Sequence, residues 1–206
     1  MDPKILYADN HIIAAEKPVG ILTQTDERAN LEDEIKEWVK KEYAKKGAVF
    51  LHAVHRLDKG VSGIVLFAKT SKALSRLNEQ MREKGMRKIY VAKVEGRPKE
   101  GILRDYLVHD HMRARVSKEK GAKLCELSVR ILKEGEESLI EVELHTGRYH
   151  QIRAQLAHHG HPILGDAKYG STKKRKRIYL HHSELTLIHP TTKEELIIRS
   201  DSPFFR

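Results

Sequence analysis

The stretch His55-Arg56-Leu57-Asp58-Lys59-Gly60-Val61-Ser62-Gly63-Ile64-Val65-Leu66-Phe67-Ala68-Lys69 joins a polar, glycine-punctuated segment to an unbroken apolar run. Ile64 to Ala68 is too short for a buried helix and reads as a buried strand spanning Ser62 to Lys69. A carboxylate just ahead of such a strand, here Asp58, sits on a loop held by rigid structure, where catalytic groups are often found. The same residues also spell an Asp-Lys-Gly turn with a solvated aspartate, and local chemistry leaves both readings open.

Outward from that strand, helix-like and strand-like blocks alternate without regular βαβ spacing. Ile5-Leu6-Tyr7 and Ile12-Ile13-Ala14-Ala15 read as short strands joined at Asp9-Asn10, and Pro18-Val19-Gly20 as a tight turn. Leu31 to Lys46 reads as an amphipathic helix with Leu31, Ile35, Trp38 and Val39 on one face, capped by Asn30 and ended by Gly47. Ser71 to Lys84 reads as a second helix, with Leu74, Leu77 and Met81 on its apolar side. Strand signals follow at Ile89–Val94, Cys125–Val129, Leu139–Leu144, Tyr179–Ile188 and Glu195–Arg199; a short helix is expected at Tyr149 to His159, and a loop or hairpin within Arg104 to Lys123. The expected architecture is α+β: one domain over 1–206, with a mostly antiparallel mixed sheet and peripheral helices.

Composition excludes several classes. One cysteine, Cys125, supports no internal disulfide and no multi-thiolate metal site; it reads as a small core residue. No apolar run approaches the length of a membrane span, and Met1-Asp2-Pro3-Lys4 lacks a basic-then-apolar leader. Lysine plus arginine number 39 against 29 acidic residues, a net charge of +10, which favours nucleic acid or an anionic surface as partner. The excess is uneven. Lys173-Lys174-Arg175-Lys176-Arg177 is continuous, and Arg113, Arg115, Lys118, Lys120 and Lys123 form a second basic segment, so a shared phosphate-binding face competes with solvated loops.

A second chemically dense passage is Gly147-Arg148-Tyr149-His150-Gln151-Ile152-Arg153-Ala154-Gln155-Leu156, followed by Gly165-Asp166-Ala167-Lys168-Tyr169-Gly170. Ile152 and Leu156 face a core on the same short helix as Arg153. An arginine buried there needs a carboxylate partner.

With these residues the sequence resembles the RluA-type RNA pseudouridine synthases. The family's His-Arg-Leu-Asp motif stands at His55 to Asp58, its Ser-Gly at Ser62-Gly63 and its Ala-Lys at Ala68-Lys69. Its Lys-x-Tyr-x-Ala strand stands at Lys88, Tyr90 and Ala92, with Gly96 following, and its Gly-Arg-x-His-Gln-Ile-Arg element at Gly147 to Arg153. Lys17-Pro18-Val19-Gly20, Gly165-Asp166, Tyr169-Gly170, Leu180-His181-His182, Leu185 and His189-Pro190-Thr191 extend the likeness from about Ile5 to Phe204. Val61 replaces the usual threonine before Ser-Gly, and the S4 domain that many relatives carry is not expected ahead of Ile5.

The resemblance implies the pseudouridine synthase fold and an isomerase of RNA. Such an enzyme breaks the C1′–N1 bond of a uridine, turns the base, joins C5 to C1′ and releases the C5 proton. Asp58, Tyr90 and Arg153 are then the catalytic residues. Asp58 acts at C1′ as nucleophile or at C2′ as base, Arg153 pairs with it, and Tyr90 packs on the uracil with its hydroxyl as a possible proton acceptor. His55, Arg56, Lys88, Arg148, His150 and Lys173, Lys174, Arg175, Lys176 and Arg177 are the expected RNA-binding residues. Arg56 fills the space left by the extruded base, and His55 orients the loop. The expected substrate is a stem-loop of ribosomal or transfer RNA. No cofactor or metal and no membrane are expected, and the chain is expected to be cytoplasmic and monomeric. Histidines at His158-His159-x-His161, His181-His182 and His109-x-His111 are possible ligands, yet read better as RNA-contacting or surface groups. A non-catalytic RNA binder needs the basic residues but not the trio. A nucleoside hydrolase using the same carboxylate would release free uracil.

Overall fold

The computed structural model describes residues 2–25, 30–110 and 112–204. Its strands are β1 (Lys4–Ala8), β2 (Ile12–Lys17), β3 (His52–Ala53), β4 (Ser62–Ala68), β5 (Arg87–Glu95), β6 (Gly101–His109), β7 (Ala114–Val116), β8 (Lys123–Lys133), β9 (Glu137–Leu144), β10 (Leu180–Ile188) and β11 (Glu195–Arg199). The helices are α1 (Leu31–Glu42), α2 (Ser71–Arg82) and α3 (Gln151–His158), with a 3₁₀ turn at Ala167–Tyr169. This is the expected α+β class, a mostly antiparallel sheet with peripheral helices. The chain forms two compact units: residues up to Met86 with His182–Ser202, and Arg87–His181 with the residues from Pro203.

In the first unit the strand order is β1-β2-β4-β10, with β11 on β10 and β3 on β4. β2 and β4 run antiparallel, Ala14 opposite Leu66. Ile12, Ala14, Ile64, Leu66, Leu185, Leu187 and Ile198 pack with Ala73 and Leu77 of α2. Ile13, Val65 and Phe67 point the other way and are equally buried, so the central strands are covered on both faces, which is why β4 is apolar from Ile64 to Ala68. Asn30 caps α1 by accepting the Asp33 N–H, and Thr70 caps α2 by accepting that of Ala73. α1 ends at Glu42, short of the expected Lys46, and Gly47 takes no part: Tyr43 is the C-cap and the left-handed turn falls on Ala44, φ +48°.

The second unit is an antiparallel sheet in the order β5-β9-β8-β6-β7. Ala154 of α3 packs on Leu107, Ala114, Cys125 and Tyr169. β6 and β7 pair antiparallel as a hairpin within the segment expected as a loop or hairpin; the burial of β6 alternates from Ile102 to Leu107, yet Ile102 and Tyr106 lie on its exposed face, so its hydropathy does not alternate. α3 begins at Gln151, because His150 at φ +53° breaks the helical path before it. Cys125 is buried, and burial pushes its thiol up to about 11.

Gly63 shows how tightly β4 is packed. Its φ is +118°, and a methyl built there would lie 2.3 Å from the His182 carbonyl oxygen. No side chain fits without moving β10. Gly63→Ala is expected to cost about 3 kcal/mol or more and to lower Tm by about 6–12 °C in thermal unfolding. Gly121→Ala, also at positive φ (+95°) but with nothing within 4 Å, is expected to cost only about 1 kcal/mol.

Candidate active site

Asp58 is half-buried on the loop between β3 and β4. Hydrogen bonds from the segment after β2 hold its neighbours. Thr23 Oγ1, itself buried, accepts the Leu57 N–H at 3.1 Å and donates to the Leu57 carbonyl at 3.3 Å. The Gly20 N–H donates to the Lys59 carbonyl at 2.8 Å. The Val61 N–H donates to the Asp58 carbonyl at 3.0 Å and closes the turn, while the Val61 side chain is buried. The backbone is therefore tied immediately before and after the carboxylate.

Lys17 completes this arrangement. It ends β2 and is fully buried. Its ammonium donates to the carbonyls of Pro18 and Ile21, both at 2.9 Å, and reaches that of Lys59 at 3.5 Å. Burial pulls it down to about 8, and the Asp58 carboxylate opposes that fall. His55, on the same loop as Asp58, accepts the Leu66 N–H at 3.3 Å and meets His182 edge to face. Arg56 is exposed.

The other expected site residues belong to the second unit. Tyr90 is buried in β5, opposite Val142 of β9. Lys88, also in β5, is buried, and burial alone lowers its ammonium. Arg153 is buried on α3, and Asp166 receives it bidentately: Nε to Oδ2 at 2.6 Å and Nη2 to Oδ1 at 2.8 Å. The carboxylate that an inward arginine requires is thus supplied, within this unit, by a motif residue to which the sequence reading gave no role. Arg153 also lies 4.9 Å over the Tyr169 ring. Other buried polar groups of α3 also find partners, although Gln155 Oε1 is buried without one. Gln155 donates to Asp105 at 2.8 Å, and Gln151 accepts from Thr146 at 2.8 Å and from the Arg148 N–H at 3.0 Å. Arg148 is exposed, its Nε donating to the Leu124 carbonyl, and His150 Nδ1 bonds the Tyr169 hydroxyl at 2.8 Å.

The run Lys173 to Arg177 is a fastened loop. Glu95 accepts from Ser171, from Thr172 and from the Lys173 N–H; these bonds outweigh burial and hold its carboxyl below the usual range. Arg175 pairs with Glu137 at 2.6 Å. Gly165, at φ +78°, lets the chain pass where a methyl would lie 2.0 Å from the Arg177 carbonyl oxygen. Lys173, Lys174 and Lys176 remain exposed.

Several histidines are engaged by the fold. His159 meets Asp105, His161 the Glu95 carbonyl, His182 the Ile64 carbonyl and His189 the Asp9 carboxylate. Among the described residues no three histidine, cysteine or acidic side chains cluster as a metal site. His111 lies outside the described residues. Among them, too, no helix is long and apolar enough to cross a membrane.

The loop of the first unit thus carries His55, Arg56 and Asp58. In the second unit Arg148, His150 and Arg153 cluster at the start of α3, with Asp166 and Tyr169 beneath them. Lys17, Thr23, Asp166 and Tyr169 escaped the reading of the sequence as site residues. Lys17, Asp166 and Tyr169 stand inside recognised motifs, but Thr23 carries no signal.

The sequence profile of the family described as RNA pseudouridylate synthase matches residues 11–158. The chain belongs to that family. RNA pseudouridine synthases are isomerases that convert uridine to pseudouridine in RNA, and this chain is such an enzyme with RNA as its substrate. The uncharacterized RNA pseudouridine synthase YhcT of Bacillus subtilis (strain 168) is 36% identical over 214 residues, spanning 97% of this chain and 68% of its own length. The dual-specificity RNA pseudouridine synthase RluA of Escherichia coli (strain K12) is 32% identical over 210 residues, spanning 97% of this chain and 93% of that protein. The solved structure of human RNA pseudouridylate synthase domain containing 4 superposes with a TM-score of 0.83 at 22% identity, covering 98% of this chain and 89% of that one, and shows the same fold.

The synthase should carry a stability signature of Lys17. Its folded pKa, about 8, lies below the ordinary lysine value of 10.5. Between those values the unfolded chain holds more protons than the folded one, so the Lys17 contribution to stability rises with pH and is flat below about 8. Denaturant unfolding at pH 7 and pH 10 should show that contribution as a rise in the wild type, and Lys17→Met should make the difference between the two pH values smaller.

Proposed function

We propose that the synthase acts on a uridine in a stem-loop of ribosomal or transfer RNA, with Asp58 as its catalytic carboxylate. The observation that carries the reading is the pinned loop: a half-buried Asp58 flanked by the Thr23 bonds on Leu57 and the Gly20 bond on Lys59. Breaking the C1′–N1 bond builds positive charge on the ribose, so a carboxylate held at C1′ stabilises the transition state. A carboxylate that must move into place pays back part of that gain in reorganisation. The buried Lys17 ammonium interacts electrostatically with that carboxylate.

Arg153 is the proposed cationic partner of that carboxylate. Its guanidinium is planar and delocalised, and the Asp166 bonds fix that plane in one orientation. Tyr90 is proposed to pack on the uracil, with its hydroxyl as acceptor for the C5 proton. Because a paired uridine is inaccessible, the target leaves its stack, and exposed Arg56 fills the space by stacking. Lys88, Arg148, His150 and Lys173 to Arg177 are proposed to hold the RNA, with His55 keeping the Asp58 loop in register against Leu66. The dual specificity named for the Escherichia coli relative agrees with either class of RNA.

The test is tritium release from C5-labelled uridine in transcripts of ribosomal and transfer RNA. Asp58→Asn is expected to lower release by at least about a thousandfold while leaving RNA binding within a few-fold of wild type. Normal release by that variant contradicts the role of Asp58. Free uracil in place of an isomerised nucleotide would favour the hydrolase.

A further inference from the structure

Tyr149 occupies the variable position of the Gly-Arg-x-His element, and nothing argued so far uses it. It is 42% exposed, yet its ring is held. The His150 imidazole stacks on it, with centroids 3.9 Å apart and planes 18° apart, and His109 stands at 5.7 Å, tilted by 54°. The support is rigid. His150 is fixed in the left-handed region and bonded to the Tyr169 hydroxyl, which also accepts the Ala114 N–H at 2.9 Å. The Tyr169 ring in turn meets the Arg153 guanidinium at 4.9 Å and that of Arg113 at 5.2 Å. The Lys168 ammonium donates to the Met112 carbonyl at 2.7 Å and anchors the turn between β6 and β7.

Charge identifies the occupant. Arg148 adjoins the ring in sequence, and residues 109–123 carry five lysines and arginines against Asp110 and Glu119. An exposed, pre-stacked aromatic inside a cationic rim is the composition of sites that bind single-stranded nucleic acid, where each base stacks on a ring and its phosphate meets a cation. A protein partner would call for a broader apolar surface, and a lipid headgroup gains nothing from a stacked ring. We propose that Tyr149, backed by His150, is a stacking subsite for one unpaired base of the RNA substrate, with Arg113 and Arg148 contacting the adjoining phosphates. The proposal rests on the synthase reading and adds a contact outside the reacting uridine.

The probe is an eight-residue oligouridylate, which offers unpaired bases without a fold. At about 150 mM salt, Tyr149→Ala is expected to bind it about tenfold more weakly than wild type, and Tyr149→Phe to bind it equally well. Tyr149→Trp, in a Trp38→Phe background so that only one indole reports, should be quenched by the oligouridylate and not by heparin, a polyanion without bases. On a C5-labelled transcript, Tyr149→Ala should raise KM and leave kcat unchanged. Binding by Tyr149→Ala within twofold of wild type, or an indole at 149 indifferent to the oligouridylate, overturns the subsite. Absence of tritium release by the wild type would overturn the synthase reading alone, since quenching needs no turnover.

Discussion

A buried ammonium tied to three backbone carbonyls is the constraint on which the first unit turns. Lys17 cannot be solvated where it lies, so its protons must be received by the chain, and the receivers are Pro18, Ile21 and Lys59. Two of these belong to the turn after β2 and the third to the loop carrying Asp58. Satisfying one buried charge therefore brings two sequence-distant loops into one arrangement. The Gly20 and Thr23 bonds then fix that arrangement on both sides of the carboxylate. β4 supplies the rigid base: its residues are buried on both faces, and Gly63 lets β10 approach closely.

The second unit solves a similar problem with a different charge. Arg153 lies on a helix whose first six residues are all buried, a place where an unpartnered guanidinium would be strongly destabilising. Asp166 meets it bidentately, and Tyr169 lies beneath it. The same Tyr169 bonds His150, which supports Tyr149. One buried ion pair thus orients the proposed catalytic cation and, through a shared tyrosine, the proposed base-stacking surface. Glu95 does comparable work for the basic loop by collecting donors from Ser171, Thr172 and Lys173.

Much of this was legible in the sequence, for physical reasons that differ by element. β4 was readable because a strand covered on both faces carries an unbroken apolar run, here Ile64 to Ala68. The starts of α1 and α2 are set by local chemistry, and Asn30 announced the first. The end of α1 was not readable, because Ala44 accepts the left-handed conformation that Gly47 could have taken. β6 was legible only as part of a loop or hairpin, because a half-exposed strand with Ile102 and Tyr106 in solvent mixes polar and apolar residues on both faces. The need for a carboxylate beside Arg153 followed from burial alone. That Asp166 answers it within the unit depends on a contact across 13 positions, which no local pattern encodes. Lys17 and Thr23 are the harder cases. A lysine or threonine beside a proline turn is ordinarily solvent-exposed, and only the packed loops make them interior.

If the pinned loop is what readies the carboxylate, then loosening it without touching Asp58 should slow the chemistry and spare the binding. Thr23→Val keeps the shape of the side chain and removes the hydroxyl that serves Leu57. The most direct measurement is the single-turnover rate of tritium release by this variant at saturating RNA. The account predicts a fall of about tenfold or more with RNA affinity unchanged. A single-turnover rate equal to wild type would contradict it.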